Sequence, residues 1–92
     1  MIVSFNCADT EELFTHGRSK RFANFRSVAE RKLQQPDSAS TLEFLGSPPG
    51  NHLGALTKDR AGQHSIRINK QWRVCFVWTD KGPANVEIVD YH

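Results

Sequence analysis

The sequence predicts an α+β domain, with two to three helices packed on one face of a largely antiparallel sheet. Three observations predict it. Residues 63–92 alternate apolar and polar side chains in three runs separated by turn chemistry, the period of half-buried strands. Residues between Asp9 and Gln34 place Leu13, Phe14, Phe22, Phe25, Ala29 and Leu33 at helical spacing. The chain opens on a short β-prone run, Met1 to Phe5. Strand, then helices, then a strand meander is the order of helices gathered on one side of an antiparallel sheet.

Each element has its own signals. Asp9 is placed to cap a helix over Thr10 to His16, with Glu12 three residues on and Gly17 as its stop. A second helix is expected over roughly Phe22 to Gln34, or from a later start if Ser27-Val-Ala-Glu30 is a capping box; Pro36 should end it. Ser40-Thr-Leu-Glu43 suggests a short third helix ending at Gly46. Ser47-Pro-Pro-Gly-Asn51 reads as a turn, Leu53 to Thr57 as a short strand, and Lys58 to Gly62 as a polar loop entering the C-terminal sheet.

Parity sets expectations for the sheet. His64, Ile66 and Ile68 share one face of the first run, and Trp72, Val74, Phe76 and Trp78 share one face of the second. Keeping apolar faces together favours a three-residue loop at Asn69-Lys70-Gln71, which sets Arg67 opposite Arg73. The same logic, with a loop around Thr79 to Ala84, pairs Trp78 with Val86, Phe76 with Ile88 and Arg73 with Tyr91. Arg67, Arg73 and Tyr91 would form one polar row ending near His92. Adjacent arginines repel, so such a row makes sense with an anion over it.

Ninety-two residues are expected to make a single domain, 1–92, with a small core. No apolar run approaches membrane-spanning length, and the start lacks the pattern of a signal peptide. Cys7 and Cys75 form no C-x-x-C pair and read as reduced thiols in a cytoplasm. His16, His52, His64 and His92 show no ligand spacing, so no zinc site is expected. No other cofactor motif stands out: the chain has no Gly-rich phosphate loop and no nucleophile elbow. Net charge is only +2, but unevenly spread. Residues 16–32 hold six basic residues against Glu30 alone, net +5; the rest holds six basic and nine acidic, net −3. Arg18, Lys20, Arg21 and Arg26 in that stretch are either a solvated helix face or a patch that meets phosphates.

At this point a family resemblance enters. Met-Ile-x-Ser-Phe at the start, Ala39 and Thr41, Leu53-x-x-Leu56, Asp59-Arg60-x-Gly62, Ser65-Ile66, Trp72-Arg73 and the closing Asp90-Tyr91-His92 together resemble the HigB toxins of bacterial toxin–antitoxin pairs, in the RelE-like superfamily. The resemblance covers nearly the whole length and rests on shared order and spacing. It implies a compact RelE-like fold and ribosome-dependent mRNA cleavage in the decoding site. It also implies a HigA-like helix-turn-helix antitoxin as partner, with operator DNA bound only through the complex. One departure stands out. Relatives can carry a catalytic histidine where this chain has Gly54; His52, two residues away, is a candidate substitute.

Metal-independent RNA cleavage needs a base for the 2′-OH, an acid for the leaving 5′-oxygen and cations for the phosphoryl oxygens. Arg73 suits the last task, and the resemblance points to it; Arg67 is added by parity alone. His92 is the natural proton-transfer group. Asp90 serves as base or holds His92, and Tyr91 donates a hydrogen bond or stacks on a base. Lys58 and Arg60, just ahead of the sheet, are solvated loop charges or RNA-backbone contacts. Two other functions compete with the nuclease: a non-catalytic module that blocks the decoding site, and a protein-interaction domain binding an acidic partner.

Overall fold

The computed structural model describes residues 1–91, and His92 lies outside them. Helix α1 spans Ala8–His16 and ends where expected: Gly17 turns left-handed at φ 67° and its N–H donates to the Leu13 carbonyl (2.9 Å). Its N-cap is Cys7, not Asp9. Asp9 and Glu11 instead lie in the first turn, where carboxylates favour the helix dipole.

A single 3₁₀ turn, Ala23–Phe25, leads into helix α2, Arg26–Ser38. Pro36 does not end this helix. It sits inside, fully buried, and the Ala39 N–H still donates to the Gln35 carbonyl (3.0 Å). A proline removes its own backbone donor; here core packing carries one further turn past that gap. The expected third helix is a 3₁₀ turn, Glu43–Gly46, opened by Phe44 N–H donating to Thr41 Oγ1 (3.3 Å). Buried Asn51 ties this region to α2. Its side-chain amide donates to Gln35 Oε1 (2.6 Å) and the Leu45 carbonyl (2.9 Å), and its Oδ1 accepts from Lys32 Nζ (2.6 Å).

Four strands form one antiparallel sheet in sequence order: β1 Gly54–Ala55, β2 His64–Arg67, β3 Trp72–Thr79 and β4 Gly82–Asp90. Strand β1 is shorter than the expected Leu53–Thr57, and His52 at φ 45° and Lys58 at φ 56° flank that segment. The β2–β3 register agrees with the parity reading: Arg67 faces Arg73 and Ile66 faces Val74.

The β3–β4 register does not. Arg73 faces Val89, Val74 faces Ile88 and Trp78 faces Pro83. Thr79 pairs with Gly82 around a two-residue turn at Asp80-Lys81. A register shift between Cys75 and Val77, with Asn85 at φ 53°, absorbs one residue. Such a bulge lets a tight turn and in-phase apolar faces coexist. Parity over an unbroken ladder excludes that combination, so the expected pairing slipped. Tyr91 therefore lies beside Gln71, whose carbonyl accepts its N–H (2.8 Å), and not across from Arg73.

The N-terminal run forms no full strand. It lies parallel to β4 through a single Phe5–Val86 bridge, with Val3 N–H donating to the Pro83 carbonyl (2.8 Å) and Val86 N–H to the Ser4 carbonyl (3.0 Å). The helices and one sheet face enclose the core: Leu13, Phe22, Ala29 and Leu33 meet Ile66, Val74, Phe76, Val86 and Ile88, with Trp72 edge-on to Phe22. The other sheet face carries Ser65, Arg67, Arg73, Cys75, Glu87 and Val89 by strand alternation.

Candidate active site

That outer face is where the arginines gather. Ladder pairing sets two adjacent rows, Gly54–Ser65–Cys75–Glu87 and Arg67–Arg73–Val89. Small residues at the centre of the first row leave room for long side chains to fold over them. Arg73 does so: its Nε donates to Ser65 Oγ (2.7 Å) and its Nη2 to the His52 carbonyl (2.7 Å). Arg67 bends toward its own turn, Nε donating to the Asn69 carbonyl (3.0 Å). Both guanidiniums are thus oriented by neutral acceptors.

Arg60 reaches the same face from the 3₁₀ turn Lys58–Arg60. Its Nη1 donates to Glu87 Oε1 (2.9 Å) and to Gln63 Oε1 (3.2 Å). The hydrogen bond to Glu87 holds the Arg60 guanidinium above its ordinary pKa in spite of partial burial, and Tyr91 lies close enough to add to the effect. Beneath these groups Cys75 is fully buried. Burial pushes its thiol up to about 11, against the pull of Arg60 and Arg73. A thiol so far from ionisation is no nucleophile at neutral pH.

The structure separates some residues that the sequence groups. Asp90 pairs with Trp72 on the helix side of the sheet, while Tyr91 follows on the other parity. Exposed Asp90 accepts from Gln71 Nε2 (2.9 Å). His92, the predicted proton-transfer residue, lies outside the described residues. His52 reaches the site through its backbone: its carbonyl holds Arg73. Its left-handed backbone, at φ 45°, is not that of a strand, so strand alternation does not relate its side chain to Gly54. Sequence reasoning missed Glu87 as a site member. Its signal was strand parity, which puts it on the Arg73 face, but no motif marks it.

The basic segment is only partly open to a ligand. Arg18 Nη2 pairs with Glu12 (2.8 Å), Arg21 with Asp9 (3.7 Å) and Arg26 with Glu30 (3.7 Å). Arg18, Lys20 and Arg26 line a shallow hollow of about 430 Å³ with Asp9 and Glu12. Arg21 also lies over the Phe22 and Trp72 rings, 5.3 and 5.8 Å from their centroids. It borders an open cleft of about 600 Å³ that continues past Lys70 to Gln71, the residue bonded to Asp90. Basic segment and strand end thus meet on one side of the molecule.

A protein-family model described as "RelE-like toxin of type II toxin-antitoxin system HigB" matches residues 5–92. The chain belongs to this toxin family. Toxin HigB-1 of Vibrio cholerae serotype O1 is 44% identical over 94 residues, which cover 100% of this chain and 98% of that protein. An uncharacterized protein of Haemophilus influenzae is 34% identical over 68 residues, covering 74% of this chain and 67% of its own. The toxin's two helices on a four-stranded antiparallel sheet agree with a RelE-like fold. Membership in a toxin–antitoxin family gives the toxin an antitoxin as partner. Among the described residues no helix is long and apolar enough to cross a membrane.

Proposed function

We propose that this toxin is a ribosome-dependent endoribonuclease that cuts mRNA in the decoding site without a metal ion and so arrests translation in the cytoplasm. The single observation that carries this reading is the arginine cluster. Arg73 faces Arg67 across the ladder, and Arg60 converges on the same sheet face. Three guanidiniums whose bonded partners among the described residues include one carboxylate, Glu87, suit a phosphodiester. In this mechanism the mRNA 2′-oxygen attacks the adjacent phosphorus and the bond to the 5′-oxygen breaks. The products are a 2′,3′-cyclic phosphate and a 5′-hydroxyl. Arg73 stabilises the phosphoryl oxygens. Asp90, Tyr91 and His92 handle the two protons, and the ribosome aligns the 2′-OH for in-line attack. Arg18, Lys20, Arg21, Arg26 and Lys58 meet the RNA backbone. A HigA-like helix-turn-helix antitoxin restrains the toxin, and the pair together contacts operator DNA.

Primer extension on a defined mRNA in a reconstituted translation reaction tests this. Wild-type toxin should give new 5′ ends inside codons only when ribosomes are present. His92→Gln should lower cutting by at least ~10²-fold while ribosome association persists. A second reading is a module that blocks the decoding site without cutting. It is favoured by one observation: the Nε–H and one Nη2–H of Arg73 are already engaged within the protein. Arrested translation with intact mRNA would select it.

A further inference from the structure

We infer that Glu87 is a positioning residue: through Arg60 Nη1 it aims the remaining edge of that guanidinium, Nε–H and Nη2–H₂, at a phosphate of single-stranded RNA. This rests on the RNA-directed reading above and adds a residue and a division of labour to it.

The bonding pattern carries the inference. A guanidinium binds two oxygens best along a pair of parallel N–H bonds. Arg73 has its Nε and Nη2 committed to Ser65 and the His52 carbonyl. That leaves it the end-on pair, Nη1–H₂ and the second Nη2–H, toward a ligand. Arg60 is the reverse: both of its bonds, to Glu87 and Gln63, leave from Nη1. Its Nε and Nη2 have no partner among the described residues. Arg60 therefore offers the side edge, Nε–H with Nη2–H, that Arg73 has spent internally, and adds a second bidentate contact beside the end-on edge of Arg73.

Glu87 explains how a turn residue can hold that edge still. Arg60 sits between Lys58 at φ 56° and Gly62 at φ 92°, in a segment shaped by turns and not by a ladder. Glu87, by contrast, is fixed by β4, paired with Cys75, with its side chain only 17% exposed. A carboxylate on an anion-binding face is unfavourable unless its charge is cancelled where it stands. The bond to Arg60 does that. It also turns this acidic side chain into an anchor for a cation.

The test uses full-length toxin with ¹⁵N-labelled arginine and a 2′-O-methyl tetraribonucleotide, which cannot be cut. The Arg60 Nε–H resonance should move on titration, and in Glu87→Gln the same movement should need about tenfold more oligonucleotide. Unfolding curves of the two proteins confirm that this near-isosteric variant is folded. An Arg60 signal that stays still, or that moves equally in both proteins, overturns the inference. Single-turnover cutting on ribosomes supplies the second arm. Glu87→Gln should slow it about tenfold, and should have no effect in an Arg60→Ala background. A further loss in that background would make Glu87 a participant in its own right and overturn the positioning role. Wild-type toxin that shifts the Arg60 signal but leaves mRNA intact would sink the nuclease reading and keep the phosphate clamp.

Discussion

Cys75 shows how one side chain records its place in the fold. It is apolar in effect, buried beneath Arg60 and Arg73 on a mostly polar sheet face. Its thiol keeps its proton up to about pH 11, whereas the ordinary value is 9.0. The unfolded chain releases that proton first as pH rises. The thiol's contribution to stability is therefore complete below about pH 9 and is lost on the way to 11. Urea midpoints for wild type and Cys75→Ala measured at pH 8 and 10.5 check this. The gap between the two proteins should narrow at the higher pH; a constant gap would show that the thiol titrates alike in both states. The sequence placed Cys75 in a strand but could not give its pKa, because the arginines that cover it come from a turn and from its own strand.

At the scale of elements, the β3–β4 hairpin decides what faces what. Its tight turn needs Gly82, which stands at φ 126°, where side chains are strained. Added atoms there would also meet the Met1 carbonyl oxygen, so the N-terminal run is packed against this turn. Gly82→Ala should destabilise the toxin by about 2 kcal/mol or more, lowering Tm by roughly 8 °C or more. An unchanged thermal transition would show that the turn relaxes freely. The consequence reaches the site, because the bulge that goes with this turn sets Glu87 opposite Cys75 and Val89 opposite Arg73. A plain ladder with a longer loop would have brought Tyr91 to Arg73 instead.

At the scale of the whole molecule, charge is the property most visible in the sequence and most altered by folding. The +5 of residues 16–32 suggests one uniform patch. Folding returns Glu12, Asp9 and Glu30 to Arg18, Arg21 and Arg26. Lys20 has no such partner among the described residues. Lys20→Ala should therefore reduce the salt dependence of ribosome binding by about one unit of slope in log Kd against log salt. Arg26→Ala should change it less, because Glu30 already balances that charge. Sedimentation binding to ribosomes across a salt series measures both, and equal slopes would argue that the local pairs open on contact.

Sequence by itself determined what depends on local pattern. Alternation fixed the C-terminal strands and the Arg67–Arg73 pairing, since a one-residue slip would have set Ile66 opposite Arg73 and mixed the two faces. Helical spacing and Gly17 fixed α1. The order of short motifs pointed to the toxin family. Tertiary structure alone decided what depends on distant atoms. Burial of Pro36 let α2 run past it. A bulge reset the last hairpin. Glu87 met Arg60 across 27 residues of sequence, a contact no local period can encode. Periodicity reports which face a residue takes; only the closed sheet and the loop folded over it settle which side chains touch.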